Sequence, residues 1–166
     1  MTVSAAIDEF LIAVEADGLS RSTVRWYRAI LKPFAERLGA QMLDDVTTGM
    51  MRRYMVELRN RGSRYKSEAT TRPEVLGGLS EESKAAHVRA LKRFWAWTTA
   101  EYGLAANPMA NIKRPSRRSP EPKGIDLADL RKLFAATADD PSGSRDRAIL
   151  AFMIDTGCRA EGVIGL

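Results

Sequence analysis

Cysteine and histidine are almost absent from this chain: its 166 residues include one of each, Cys158 and His87. A single thiol excludes an internal disulfide framework, and one thiol with one imidazole falls short of a zinc site built from Cys and His. No second histidine is available for a metal or an acid–base pair. Long hydrophobic runs are missing too, none approaching the roughly 18 to 20 residues of a membrane span. The opening stretch MTVSAAIDEFLIAVEADG carries acids where a secretory leader has a basic segment, so no signal peptide is expected. Strand signals are few and no internal repeat is visible. These absences describe an all-α protein of a reducing, cytoplasmic compartment, with no membrane partner.

What is present is the balance of a globular protein, 45% hydrophobic and 28% charged residues. The net charge of +5 is unevenly placed. Residues 1–60 hold 8 basic and 8 acidic side chains, residues 61–125 hold 13 and 6, and residues 126–166 hold 5 and 7. The middle third supplies the whole excess, and a localised basic excess suits a polyanion. One basic face also serves solubility, so charge alone leaves both readings open.

Apolar spacing predicts a series of helices. The first runs from about Ser4 to Ala16 on Ile7, Phe10, Leu11 and Val14, and Asp17-Gly18 ends it. The second opens on Ser20 as N-cap and carries Val24, Tyr27, Leu31, Phe34 and Leu38, with a bend expected at Pro33 and a stop at Gly39. The third follows Val46-Thr47, with Met51, Tyr54, Met55 and Leu58 on one face. Residues 62–79 lack a period and read as an exposed loop. The fourth opens at Ser80, with Ala85, Val88, Leu91, Trp95 and Thr98 as its core stripe, Phe94 and Trp97 beside it, and an end near Gly103.

Composition then shifts. Residues 103–124 contain Pro108, Pro115, Pro120 and Pro122, and five cations (Lys113, Arg114, Arg117, Arg118 and Lys123) against Glu121 alone. Such a tract reads as an extended linker. The expected organisation is a helical domain over 1–106, a basic Pro-rich linker over 107–124, and a further unit over 125–166. That unit holds helices from Leu127 to Ala136 and from about Ser144 to Asp155, broken at Thr156-Gly157. It is too short to bury a core of its own, so it docks on the first domain or the natural protein continues.

Candidate binding residues lie on two faces and in the linker. On the second helix the side away from the core presents Ser22, Arg25, Trp26 and Lys32, with Thr23 beside them. Cations there suit phosphates, and the indole suits sugar or base edges. The bland alternative is a tryptophan at the rim of the core. On the fourth helix the non-core side is expected to show Ser83, Lys84, His87, Ala90 and Arg93, with Arg89 and Lys92 nearby. Small residues alternating with donors let a helix approach a duplex closely, although a charge run is usually a solvated face. Lys113, Arg114, Arg117 and Arg118 in the linker suit backbone phosphates of any base sequence.

The order of features resembles the tyrosine recombinase (phage integrase) family. GLSRSTVRWYRAILKPFAERLG (18–39) resembles the opening of its core-binding domain. LSEESKAAHVRALKRFWAWTTAEYGLAANPMANIKRP (79–115) is similar to the last long helix of that domain and its Asn-Pro exit. IDLADLRKLFAAT (125–137) looks like the first helix of the catalytic domain, and RDRAILAFMIDTGCRAEGVIGL (145–166) like the helix and turn that present its first active-site arginine, here Arg159.

The resemblance implies a SAM-like helical core-binding domain of four main helices, followed by a linker and the first helices of a truncated catalytic domain. It implies double-stranded DNA as partner, gripped by the second and fourth helices, recombinase tetramers on DNA in the full-length parent, and no metal and no cofactor. Arg159 would hold the oxygens of the scissile phosphate, for which a planar, always-charged guanidinium is suited. The alternative is an arginine that caps a helix end and pairs with Asp155 or Glu161. The family often has an acid three residues after this arginine, whereas Gly162 stands there and the acid is Glu161. The family's remaining catalytic residues, including the nucleophilic tyrosine, follow this arginine in chain order, so this chain is expected to bind and not to cut. A non-catalytic accessory or regulatory protein derived from an integrase is the other reading.

Overall fold

The protein is described here by a computed structural model, which covers residues 1–61, 63–64, 75–114 and 124–164. The chain divides into two compact units, Met1–Arg118 and Ser119–Leu166.

The first unit is built on four helices, α1 (Val3–Ala16), α2 (Arg21–Leu38), α3 (Thr48–Arg59) and α4 (Glu81–Tyr102). Each starts on a hydroxyl that accepts a backbone N–H of the first turn: Thr2 from Ala5, Ser20 from Thr23, Thr47 from Met50 and Ser80 from Ser83. α4 also has Glu81 and Glu82 in its first turn and ends on Gly103 at φ 64°, a left-handed cap that glycine adopts without penalty. α2 runs through Pro33 for five further residues.

α1 packs on α2 and α4, and α2 packs on α4. The apolar stripes meet in an aromatic core. Phe10 stands edge-on to Tyr27 and Phe94 at 5.2 and 5.6 Å, and Phe34 edge-on to Tyr54 at 5.2 Å. Phe10, Phe34, Phe94 and Trp95 are fully buried, and each such ring contributes roughly 1.5–3 kcal/mol by leaving water. The N-terminus is tied in by backbone bonds: Val3 N–H donates to Gln41, Ser4 to Gly39 and Leu43 to Met1. Gly39 permits that approach, because a Cβ there would strike the Ala35 carbonyl and lie 3.2 Å from Ser4 Cβ.

Three features of this unit differ from expectation. The segment read as a plain loop contains a two-residue antiparallel pairing, β1 (Ser63–Arg64) with β2 (Val75–Leu76), too short to leave a period in sequence. The start of the supposed linker is folded: Asn107 Oδ1 accepts the Met109 N–H at 2.8 Å, and Met109 is fully buried in the core. Finally, α4 buries His87, Val88, Ala90, Leu91, Phe94, Trp95 and Thr98, an arc of about 160° round the helix. His87 and Ala90 therefore point inward, not to the outer face assigned to them. A single narrow stripe is the wrong picture for a helix packed by neighbours on several sides.

The second unit comprises α5 (Leu127–Ala135), α6 (Pro141–Thr156) and α7 (Ala160–Ile164). Asp126 caps α5 through the Ala128 and Asp129 N–H groups. Asp140 caps α6 through Gly143, with Pro141 in the first helical position, so the helix begins earlier than its apolar residues suggest. Arg147 ties the intervening turn to α6, donating to Thr137 Oγ1 at 2.6 Å and to the Ala138 carbonyl at 3.0 Å. Among the described residues of this unit only Gly143 is buried, while Ile125, Leu127, Leu133, Phe152, Ile154 and Ile164 are exposed.

Candidate nucleic-acid interface

The N-terminal turn of α2 gathers hydroxyls. Ser20 Oγ caps the helix and lies 2.9 Å from Ser22 Oγ and 2.8 Å from Thr23 Oγ1. One turn on, the half-buried Trp26 meets Tyr27 edge-on at 4.9 Å, and Tyr27 rests on Phe10 in the core. The indole is thus fixed by the core without being enclosed in it. From α4, the Arg89 guanidinium lies over the Trp26 ring, 5.2 Å from its centroid. Ser22, Thr23, Trp26, Tyr27 and Arg89 line one open cleft of about 400 Å³.

Arg25 and Arg93 are exposed beside this cleft, Arg93 one turn along α4 from Arg89. No carboxylate pairs with Arg25, Arg89 or Arg93 among the described residues, so these charges are available to an external anion. Lys32 does not belong with them. Six residues beyond Trp26, it sits about 120° round the helix, and it faces Glu36 at 4.0 Å.

The fourth-helix residues are divided differently from expectation. The outer arc carries Glu82, Arg89, Arg93 and Ala96, with half-buried Ala85 and Ala86 alongside. Ser83 is half-buried within hydrogen-bonding distance of the Ser80 cap. Lys84 turns to the other flank, bonds Glu81 at 2.7 Å, and holds that carboxyl below its usual range. There it joins Arg59, Lys113 and Arg114 around an apolar floor of Met55, Leu58, Val88 and Ile112, in a pocket of about 350 Å³.

His87 is excluded from any outer surface. It is 7% exposed, and burial first, the nearby Arg61 second, push its pKa down to about 4. Its Nδ1 has no hydrogen-bond partner among the described residues. Arg117 and Arg118 lie outside the described residues. Arg89 is the residue that sequence reasoning undervalued. Its spacing of four from Ala85 and Arg93 was visible, but its tryptophan neighbour, 63 positions away, was not.

In the second unit Arg159 follows the Gly157 turn and opens α7, its carbonyl accepting the Gly162 and Val163 N–H groups. Its side chain is exposed and pairs with neither Asp155 nor Glu161. At Gly162 a Cβ would run into Cys158 Sγ, so a larger residue there requires the thiol to turn away.

Comparison with known proteins places this geometry. A model of the phage integrase N-terminal SAM-like domain matches residues 7–102. The tyrosine recombinase XerC of Shigella flexneri serotype 5b (strain 8401) is 31% identical over 133 residues, 80% of this chain and 39% of that protein. XerC of Vibrio vulnificus (strain YJ016) is 28% identical over 164 residues, 96% of this chain and 47% of that protein. The chain thus spans less than half the length of these relatives. Among solved structures, the integrase from mycobacterium phage Brujita superposes with a TM-score of 0.55 at 18% identity, over 82% of this chain and 41% of that one. A solution structure of a fragment (61-160) from Clostridium leptum gives 0.51 at 15% identity, over 74% and 95%. These two likenesses concern the fold.

Proposed function

The chain belongs to the tyrosine recombinase (phage integrase) family, and from that premise we propose that it is a duplex-DNA-binding part of a site-specific recombinase. The α2–α4 cleft carries the reading: Arg89 joins hydroxyls and a fixed indole in one cleft, and Arg25 and Arg93 are exposed on the same two helices, none of the three paired with a carboxylate among the described residues. Cations and hydroxyls of this kind take phosphates, while an aromatic ring packs on sugar or base edges. Lys113 and Arg114, with Arg59 at the second pocket, extend the basic surface along the exit from α4. Arg117 and Arg118 continue the same charge in sequence.

Arg159 is the phosphate-binding arginine in this reading. Exposed and without an ion-pair partner among the described residues, it presents the planar fork of donors that suits a phosphoryl group. Gly162 leaves Glu161 as the neighbouring acid. The chain's four tyrosines, Tyr27, Tyr54, Tyr65 and Tyr102, all precede Arg159. Tyr54 is buried, with its phenol pKa pushed up mainly by desolvation, and Tyr27 packs on Phe10. In the family the nucleophile follows this arginine in chain order, as none of these four does, so the 166 residues bind duplex without forming a phosphotyrosine.

Fluorescence anisotropy with a labelled duplex tests the binding. Neutralising roughly five phosphates makes affinity fall several hundred-fold between 50 and 200 mM salt. An absence of binding at about 20 mM salt overturns the reading. A covalent adduct with a nicked suicide duplex, seen on a denaturing gel, overturns the assignment of binding without cleavage.

A further inference from the structure

We infer that Arg89, seated on Trp26, is the residue with which the α2–α4 face reads base identity, and that the base it reads is guanine. The inference rests on the DNA-binding reading above and assigns one side chain a role within it.

Two observations separate Arg89 from the other cations among the described residues. The first is its support. Its guanidinium lies 5.2 Å from the Trp26 ring centroid, and Trp26 is in turn braced by Tyr27, which stands on buried Phe10. A long side chain normally loses much rotamer freedom on binding, and one already held against an aromatic face loses less. Phosphate contact does not need such bracing, because a phosphate accepts from many directions. Bidentate recognition of a base edge does need it, since two N–H groups must meet two fixed acceptors in one plane.

The second observation is its setting on α4. Ala85, Ala86 and Ala96 surround Arg89 on the outer arc, and Arg93 follows one turn later. Small side chains let the helix axis come close to the floor of a groove, and the one supported fork in their midst reaches the base edges. Arg25, Ser22 and Thr23 on α2 remain at the margin, where phosphates run. In the major groove the edge that accepts two parallel N–H bonds from arginine is guanine O6 and N7. Adenine offers one acceptor and one donor there, and leaves half the fork unpaired.

Selection from a duplex library with a randomised central window tests this, using the 166-residue chain and its Arg89→Ala, Arg89→Lys and Trp26→Leu variants. Circular dichroism checks that each variant is folded; Arg89 is exposed, so its replacement leaves the core intact. The wild type is expected to enrich duplexes that share a fixed guanine. Arg89→Ala loses that guanine and keeps the rest of the consensus, while Arg89→Lys, whose ammonium also reaches O6 and N7, keeps it with weaker enrichment. The affinity of Arg89→Ala for the enriched duplex drops roughly 5- to 100-fold, while its affinity for the unselected pool changes far less. Trp26→Leu keeps the guanine with weaker enrichment, because the fork remains but its brace is gone.

Retention of every guanine preference by Arg89→Ala overturns the proposal. So does an even loss of affinity on all duplexes with a salt slope shallower by about one, the mark of a phosphate contact. Wild-type binding without any consensus overturns the role of Arg89 and leaves the DNA-binding reading standing. No duplex binding by the wild type at low salt brings down both.

Discussion

The two units are made of the same material, capped amphipathic helices, and differ in what those helices do with their apolar sides. In Met1–Arg118 the rings of Phe10, Phe34, Phe94 and Trp95 are fully buried against one another. In Ser119–Leu166 the comparable side chains Phe152 and Ile154 remain 40% and 46% exposed. Local signals shape the second unit: Asp126 and Asp140 cap its two longer helices, and Gly157 breaks the second where the sequence places the break. Burial holds only the first. The cleft side chains Trp26 and Arg89 therefore stand on a packed frame, whereas Arg159 stands on helices that are drawn but not clamped.

The most direct way to break this contrast is to delete one ring from each unit. Phe94→Ala should lower the unfolding free energy by about 3–5 kcal/mol, read by urea denaturation of the whole chain. Phe152→Ala should change it by less than about 0.5–1 kcal/mol. Equal losses would show that the second unit has a core after all.

Acid supplies the next effect, confined to the first unit. His87 has its pKa lowered from 6.5 to about 4 by burial, so the folded state prefers it neutral and the unfolded state binds the proton more readily. Its stabilising contribution is complete above about pH 6.5 and is lost as pH falls toward 4, up to about 3 kcal/mol. His87→Leu should flatten that part of the stability–pH curve, while probes in α6 should not respond to the substitution. An unchanged curve would mean that the imidazole is solvated.

Capping gives the smallest effect and the finest distinction. Ser80→Ala and Asp140→Ala each remove a side-chain acceptor from a helix start, at a cost of about 1 kcal/mol. For α4, held by its buried face, the result should be a small shift in the unfolding midpoint without loss of helix. For α6 the same loss should reduce the helical signal at room temperature, because little besides the cap favours the helix. Equal loss of helix in both would contradict the contrast.

The same contrast governs what could be read from the sequence. Helices α1 to α3 and their core residues follow from spacing and caps, since each has one buried stripe. α4 followed in its Ser80 start, its Gly103 end and the burial of Val88, Leu91, Phe94, Trp95 and Thr98, but not in His87 and Ala90, because neighbours on more than one side bury positions that a single stripe places outside. The burial of Met109 was hidden by the prolines and cations around it, which describe the tract as a whole and not its first six residues. In the interface, Ser22, Thr23, Arg25 and Trp26 were legible from phase along α2. Arg89 was not singled out, because its significance lies in a contact between helices. Lys84 and Arg159 show the converse: equal charges in sequence, one already engaged by Glu81 and the other open.

The backbone bonds that tie Val3, Ser4 and Leu43 together also set an order of events during synthesis. Everything needed to close α1 against α2 has been made once Leu43 is in place. The α4 rings that pack on Phe10 and Phe34, namely Phe94 and Trp95, come about fifty residues later. At roughly 5–20 residues per second, that gap lasts about 3–10 s. A hairpin of α1 and α2 closed at that stage leaves the α4-facing sides of Phe10 and Phe34 uncovered for a time set by translation speed between α2 and α4.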